Sequence, residues 1–354
     1  MSISGSDKAV LRELGKQIAE IAALPIQQKR QENHAAINRL ERAKPTILIY
    51  QVPWHEMDVD GELTLRTQDP FCQGIELNLR RTLYSWKHMP GDMVVGATIS
   101  SPPAIRDTGF GIREQVDIAR TDPKSDVVSR HFHIQIRSED DLEKIKMPVV
   151  THDPEATERL YQMRCEIFDG VLTVRKCGTG SFWFAPWDEI VRWTGVDEVL
   201  MDMVMRPAYV HKIIDRMVTA WLCRLDQYLA QGLLSGPPSE LWGVGAAQIF
   251  SAVSPAMHEE FALRHEARWF ERWGKNYYGC CEPLDLKVDV IRKNIPRLRK
   301  ISMSPWVDFD RAVQNVGDSL IFAWKPNPAV LATETWHPEA VRKDMEEKLR
   351  KARG

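Results

Sequence analysis

Short runs of β-branched and aromatic residues alternate with amphipathic segments along most of this chain, and the alternation restricts the fold more than any single motif does. The runs are TILIYQV (46–52), DMVVGATIS (92–100), VLTVRKCG (171–178), ELWGVG (240–245), KNYYGCC (275–281), LRKISMS (298–304) and SLIFAW (319–324). The clearest helical stretch is 196–233, with apolar residues every three or four positions and one break at Arg206-Pro207, where proline removes a helical donor. Others fall at 256–273, 285–296 and 307–316, the last ending at Gly317, a residue suited to a left-handed cap. Strands separated by helices pair in parallel, because a parallel connection needs a crossover. Seven or eight such units over roughly 300 residues predict an α/β protein built as a single (β/α)8 TIM barrel. Residues 1–45 read as an N-terminal helical extension, 46–345 as the barrel, and the charge- and proline-rich stretch near 101–170 as an inserted lobe.

Composition excludes several classes. The chain has 354 residues, 44% of them hydrophobic, and a formal net charge of −2, enough for a sizeable core. No run of eighteen apolar residues occurs, and MSISGSDKAVLRELGKQ lacks the apolar stretch of a signal peptide, so a cytoplasmic protein without membrane contact is expected. Six cysteines, Cys72, Cys165, Cys177, Cys223, Cys280 and Cys281, follow no framework spacing and are expected to be reduced. No dense basic block is present to bind nucleic acid. The closing RKDMEEKLRKARG mixes both signs at helical spacing and reads as a solvated helix face.

In a barrel the active site lies where the strands end. That rule selects Trp54, His55 and Glu56 after the first run; Gly178, Gly180, Trp183, Trp187 and Asp188 after the third; Cys280, Cys281 and Glu282 after KNYY; then Trp306 with Asp308, and Lys325 with Asn327. Trp54, Trp183, Trp187, Trp242 and Trp306 could line a flat, dry pocket, although tryptophans at a barrel rim also simply pack. His131 and His133 would share one strand face, and His258 and His265 one helix face, where ordinary packing is the first reading. The GTG at 178–180 has no phosphate-loop lysine after it and reads as a tight turn.

Four segments in order, RPAYVHKIIDRMV, GVGAAQIFSAVSPAMHEEF, YYGCCE and GDSLIFAWKPNPAVL, resemble the uroporphyrinogen decarboxylase superfamily over residues 40–340. That resemblance implies the barrel and one of two chemistries: porphyrinogen decarboxylation, or zinc-dependent methyl transfer to or from corrinoid proteins and thiols. The decarboxylase would need an arginine-rich segment near the first strand, where IYQVPWHEMD carries carboxylates instead. In the methyltransferase pattern, Cys281 matches the metal-binding thiolate, Gly279 stands where a histidine is expected, and the later cysteine is absent from IFAWKPNP (321–328). The resemblance is closest to the corrinoid-dependent methyltransferases that begin O-demethylation of aromatic methyl ethers. It implies a methyl donor of low molecular weight, zinc on Cys281 and Cys280, catalytic roles for His55, Glu56 and Glu282, and transfer to the cobalt(I) of a corrinoid carried by a partner protein. A decarboxylase of this superfamily, and a non-catalytic barrel that binds a corrinoid protein, are the alternatives; a homodimer stays open.

Overall fold

The computed structural model describes residues 3–123, 125 and 127–352. The protein is a mixed α/β chain with parallel sheet. It divides into two compact units, one drawn from residues up to Arg106, Asp117–His131 and Thr151–Gly178, the other from Asp107–Val116, Phe132–Val150 and Thr179 onward. The strands before Gly178 are β1 (Thr98–Ser101), β2 (Ala104–Asp107), β3 (Val116–Ala119), β4 (Ser129–Phe132), β5 (Val150–Asp153) and β6 (Thr173–Lys176); β1 pairs with β6, β2 with β5 and β3 with β4.

The first unit is organised by helices. Ser4 caps the helix Gly5–Ala22 by accepting from the Asp7 N–H at 3.0 Å, which satisfies a donor that has no partner inside the helix. Leu11, Leu14 and Ile18 then recur on one face and pack with Cys72, Ile75 and Leu79 of the helix Pro70–His88 and with Ile167 and Phe168. Beside them, β1 and β6 run parallel with Thr98 opposite Thr173. The run TILIYQV, expected to be a strand, joins no sheet. Pro45 and Pro53 bracket it. Its Ile47 N–H donates to the Asp92 carboxylate at 2.9 Å, and the Asp92 N–H donates back to the Ile47 carbonyl at 2.8 Å. A long-range exchange with Asp92 therefore takes the backbone groups of Ile47 that a ladder would use.

The second unit contains β7 (Trp183–Phe184), β8 (Trp242–Gly245), β9 (Lys275–Tyr278), β10 (Leu298–Met303) and β11 (Ile321–Trp324), all parallel and each beside its neighbour in sequence. Between them run the helices Pro186–Thr194, Val196–Met205, Pro207–Ala230, Val288–Asn294 and Phe309–Val316, with a helical run over Pro255–Phe270. The expected break falls at Arg206, whose φ of −139° leaves the helix so that Pro207 can open the next one. Gly317 ends the helix before β11 at φ +56°. Register places Phe184, Gly245, Tyr278, Ile301 and Phe322 in one row across the sheet. This row faces the helices: Phe184 stacks on Trp269 at 4.6 Å, and both lie in a core with Trp187, Trp193, Trp221, Phe250 and Phe270. Among the described residues no helix is long and apolar enough to cross a membrane.

Close approach makes Gly245 a test of this packing. A Cβ there would lie 2.5 Å from the Phe184 carbonyl oxygen and 2.9 Å from the Phe270 ring, whereas at Gly74, on an exposed helix face, it would meet nothing within 4 Å. Gly245→Ala should destabilise the second unit by roughly 1–3 kcal/mol, and Gly74→Ala should be neutral or stabilising by up to about 1 kcal/mol. Urea denaturation of both variants checks the contrast; equal midpoints would refute the register.

Candidate functional site

At its carboxyl end β9 passes from Tyr278 into Gly279, and the chain turns there. Gly279 has φ +102°, and a Cβ would come 2.5 Å from Leu284 Cδ1 and 3.1 Å from Ser302 Cβ. Both the backbone conformation and the space exclude a side chain. The turn presents Cys280, half-buried, and Cys281, exposed, with their Sγ atoms 3.5 Å apart.

Three neighbouring strand ends hold this turn. The Cys280 carbonyl accepts from Ser302 Oγ of β10 at 3.0 Å and from Lys325 Nζ, just past β11, at 2.7 Å. The Cys280 N–H donates to Glu282 Oε2 at 2.8 Å, and Ala247 N–H, just past β8, donates to Glu282 Oε1 at 3.3 Å. Glu282 is fully buried, so burial raises its pKa while these amides oppose the rise. It fastens the loops after β8 and β9 together. Lys325 Nζ also lies 3.4 Å from Cys280 Sγ. Burial and the hydrogen bond with Cys281 push the Cys280 thiol up to about 11, and the Lys325 charge works in the opposite direction.

Beneath the turn lies a buried chain of titratable groups. His258 Nε2 is 2.8 Å from Tyr278 Oη, which donates to Glu266 Oε2 at 3.2 Å; all three side chains are fully buried. His258 Nδ1 and Glu266 Oε1 have no partner. Burial holds the Glu266 carboxyl up at about 8, with repulsion from Glu282 and Asp188 adding to it. Burial also keeps His258 neutral, well below its ordinary range. Asp188, raised by burial, accepts from Gln248 Nε2 at 2.7 Å. The sequence reading assigned His258 to ordinary packing and passed over Glu266; an ionisable pair inside a helix that must cover a sheet was the available signal.

The remaining candidates separate. Trp187 is fully buried against Phe250 in the helix-side core and faces no solvent. Trp183 is 47% and Trp306 68% exposed, and Trp242 is half-buried. Trp54, His55 and Glu56 form the short helix Trp54–Met57 of the first unit, where His55 Nε2 lies 3.4 Å from Glu56 Oε1 and the Arg81 guanidinium sits over the Trp54 ring. His265 approaches His211 at 3.0 Å, and His131 lies in β4.

The donor set fits zinc in part. Two thiolates each bound at about 2.3 Å in a tetrahedron stand roughly 3.8 Å apart, near the spacing of Cys280 and Cys281. Among the described residues no group of three or more His, Cys, Asp or Glu side chains is placed to hold a metal ion, and both Glu282 oxygens already accept from amides. Compared with known proteins, the chain matches no family model and no curated protein.

Glu266 yields a signed pH dependence. Its folded value of about 8 exceeds the ordinary 4.5, so the folded state binds the proton more tightly. The corresponding stability is complete below about pH 4.5 and is lost as pH rises through about 8. Calorimetry from about pH 5 to about pH 9 should show the alkaline loss shrink in Glu266→Gln by a few kcal/mol; an unchanged profile would remove Glu266 as its source.

Proposed function

We propose that the chain is a (β/α)8-barrel methyltransferase that moves a methyl group from a small methylated substrate, an aromatic methyl ether, to the cobalt(I) of a corrinoid on a partner protein. The observation that carries the reading is the thiol pair Cys280–Cys281 at the carboxyl end of β9, gripped from the ends of β8, β10 and β11. Active sites of parallel α/β folds form at that edge. The barrel is supported by strand order. An open doubly wound sheet reverses its order at a switch point, whereas β7 to β11 run in sequence order without reversal.

In this reading Cys280 and Cys281 would hold a zinc ion, which would supply Lewis-acid polarisation of the ether oxygen. The chain's own groups set the conditions for that. The ammonium of Lys325 beside Cys280 Sγ favours the thiolate over the thiol. Glu282 fixes the turn through two amides, so both sulfurs stay at its tip. Trp183, Trp242 and Trp306 offer ring faces to an arene, while Trp187, inside the core, does not. The reading rests on the second unit's residues alone.

Protein purified without chelator should carry about one zinc per chain, released in acid as protons compete for sulfur. Cys281→Ser should lose zinc and methyl transfer together while still unfolding cooperatively. Transfer is followed as the conversion of a cobalt(I) corrinoid protein to methyl-cobalt(III) with a panel of methoxyarenes. Full activity and zinc in Cys281→Ser, or no conversion with any donor, would reject the assignment.

A further inference from the structure

The face of the second unit's sheet that looks away from the helix-side core carries its own row of residues. Trp183, Val244, Tyr277, Lys300 and Ile321 are successive register partners across β7 to β11. Because a strand has a two-residue period, Lys275 and Trp242 lie on this face one step before the row. Lys325 follows two residues after Ala323, the partner of Ser302, and falls one step beyond it.

Three lysines thus share one face. Lys300 Nζ sits 4.5 Å over the Tyr277 ring, Lys275 Nζ 6.0 Å over the Trp242 ring, and Lys325 Nζ 3.4 Å from Cys280 Sγ. Among the described residues none of them is ion-paired with a carboxylate, although most other lysines with a resolved partner reach one. Lys300 is half-buried, and its pKa is lowered first by burial and then by the charge of Lys325. Lys300 and Lys325 repel each other in a half-buried place with aromatic faces beside them; Lys325 also donates to the Cys280 carbonyl at 2.7 Å and acts on buried Glu282, whereas Lys300 has no carboxylate of its own among the described residues.

We propose that this face binds a small organic carboxylate, its anionic end held between Lys300 and Lys325 and its flat apolar body lying along Tyr277 and Trp183. A carboxylate between the two lysines replaces their repulsion with charge-assisted hydrogen bonds. The aromatic residues of the row give an aryl or similarly flat body more contact than a bare anion could use. The inference concerns binding and stands whether or not methyl transfer occurs.

The exposed thiol of Cys281 reports on this face, through two alkylating agents of similar size. Iodoacetate is itself a carboxylate; iodoacetamide is its neutral counterpart. With the wild-type protein freed of metal by a chelator, alkylation of Cys281, followed by peptide mass mapping, should saturate with iodoacetate and stay linear with iodoacetamide. Benzoate should protect against iodoacetate, and benzamide should not. Lys300→Met should lower the iodoacetate-to-iodoacetamide rate ratio roughly tenfold, the loss of one charge-assisted contact, and Lys300→Arg should restore much of it. The proposal is overturned by a native ratio equal to that of free cysteine, by benzamide protecting as well as benzoate, or by inorganic phosphate protecting better than benzoate. If Lys300→Met fails to fold, the benzoate and benzamide comparison on the native protein decides alone.

Discussion

The second unit depends on which face of its parallel sheet is buried. Tyr278, Ile301 and Phe184 are fully buried against the helices, and a strand's period of two then assigns every other residue without further choice. Lys300 and Tyr277 fall on the opposite face because Ile301 and Tyr278 are taken by the core. A slip of one residue would bring Lys300 against the aromatic core and expose Ile301, exchanging an apolar burial for a buried charge. The hydrophobic term therefore fixes the location of the polar groups, though it contributes nothing to their chemistry.

The turn after β9 follows from the same constraint. Tyr278 must enter the core, so the next residue faces Ser302 across a narrow gap, and only Gly279 fits. With that position closed, the polar groups of the edge gather one and two residues later, on Cys280 and Cys281. The amide and carbonyl of Cys280 are both engaged, by Glu282 on one side and by Ser302 and Lys325 on the other. The thiols lie at the tip, that of Cys280 half-buried beside Lys325 and that of Cys281 exposed. A histidine at 279, as in the pattern the sequence resembles, is incompatible with that packing, so any metal bound here has a ligand set unlike the one the resemblance implies.

Periodicity revealed the elements that bury a regular stripe. The helices Val196–Met205 and Pro207–Ala230 meet at the proline that the sequence marks, and β8 to β11 lie within runs legible as strands. It misled at TILIYQV, where bonds to the distant Asp92 take both backbone groups of Ile47. Two-residue β7 is too short for a period to show. Nearness to a strand end identified Trp187 and Trp183 alike, yet rotation about the strand and the helix begun by Pro186 sent Trp187 into the core and left Trp183 outside. Lys300 was illegible because a lysine in a strand is ordinarily read as a solvated edge. Its setting emerges only from register with β9 and β11.

The distribution of charge explains why so much of this edge is energetically unfavourable. Glu282 and Asp188 lie close enough to add to the rise of the Glu266 carboxyl, while Lys325 lowers Lys300. Opposite charges within one unit could have neutralised these groups in pairs, as Arg311 and Asp285 do at 2.6 Å in the same unit. The acids instead collect around Tyr278 on the helix side, where buried Lys287 faces Glu282 and Asp285, while Lys300 lies on the other face and Lys325 reaches the turn that Glu282 also holds. The hydroxyl of Tyr278 stands between His258 and Glu266 at hydrogen-bond distance from both. Groups left charged or half-satisfied in a folded interior oppose stability, and packing alone does not call for them. Their concentration near the carboxyl edge of a parallel sheet, beside two thiols, is the observation on which the proposed site rests.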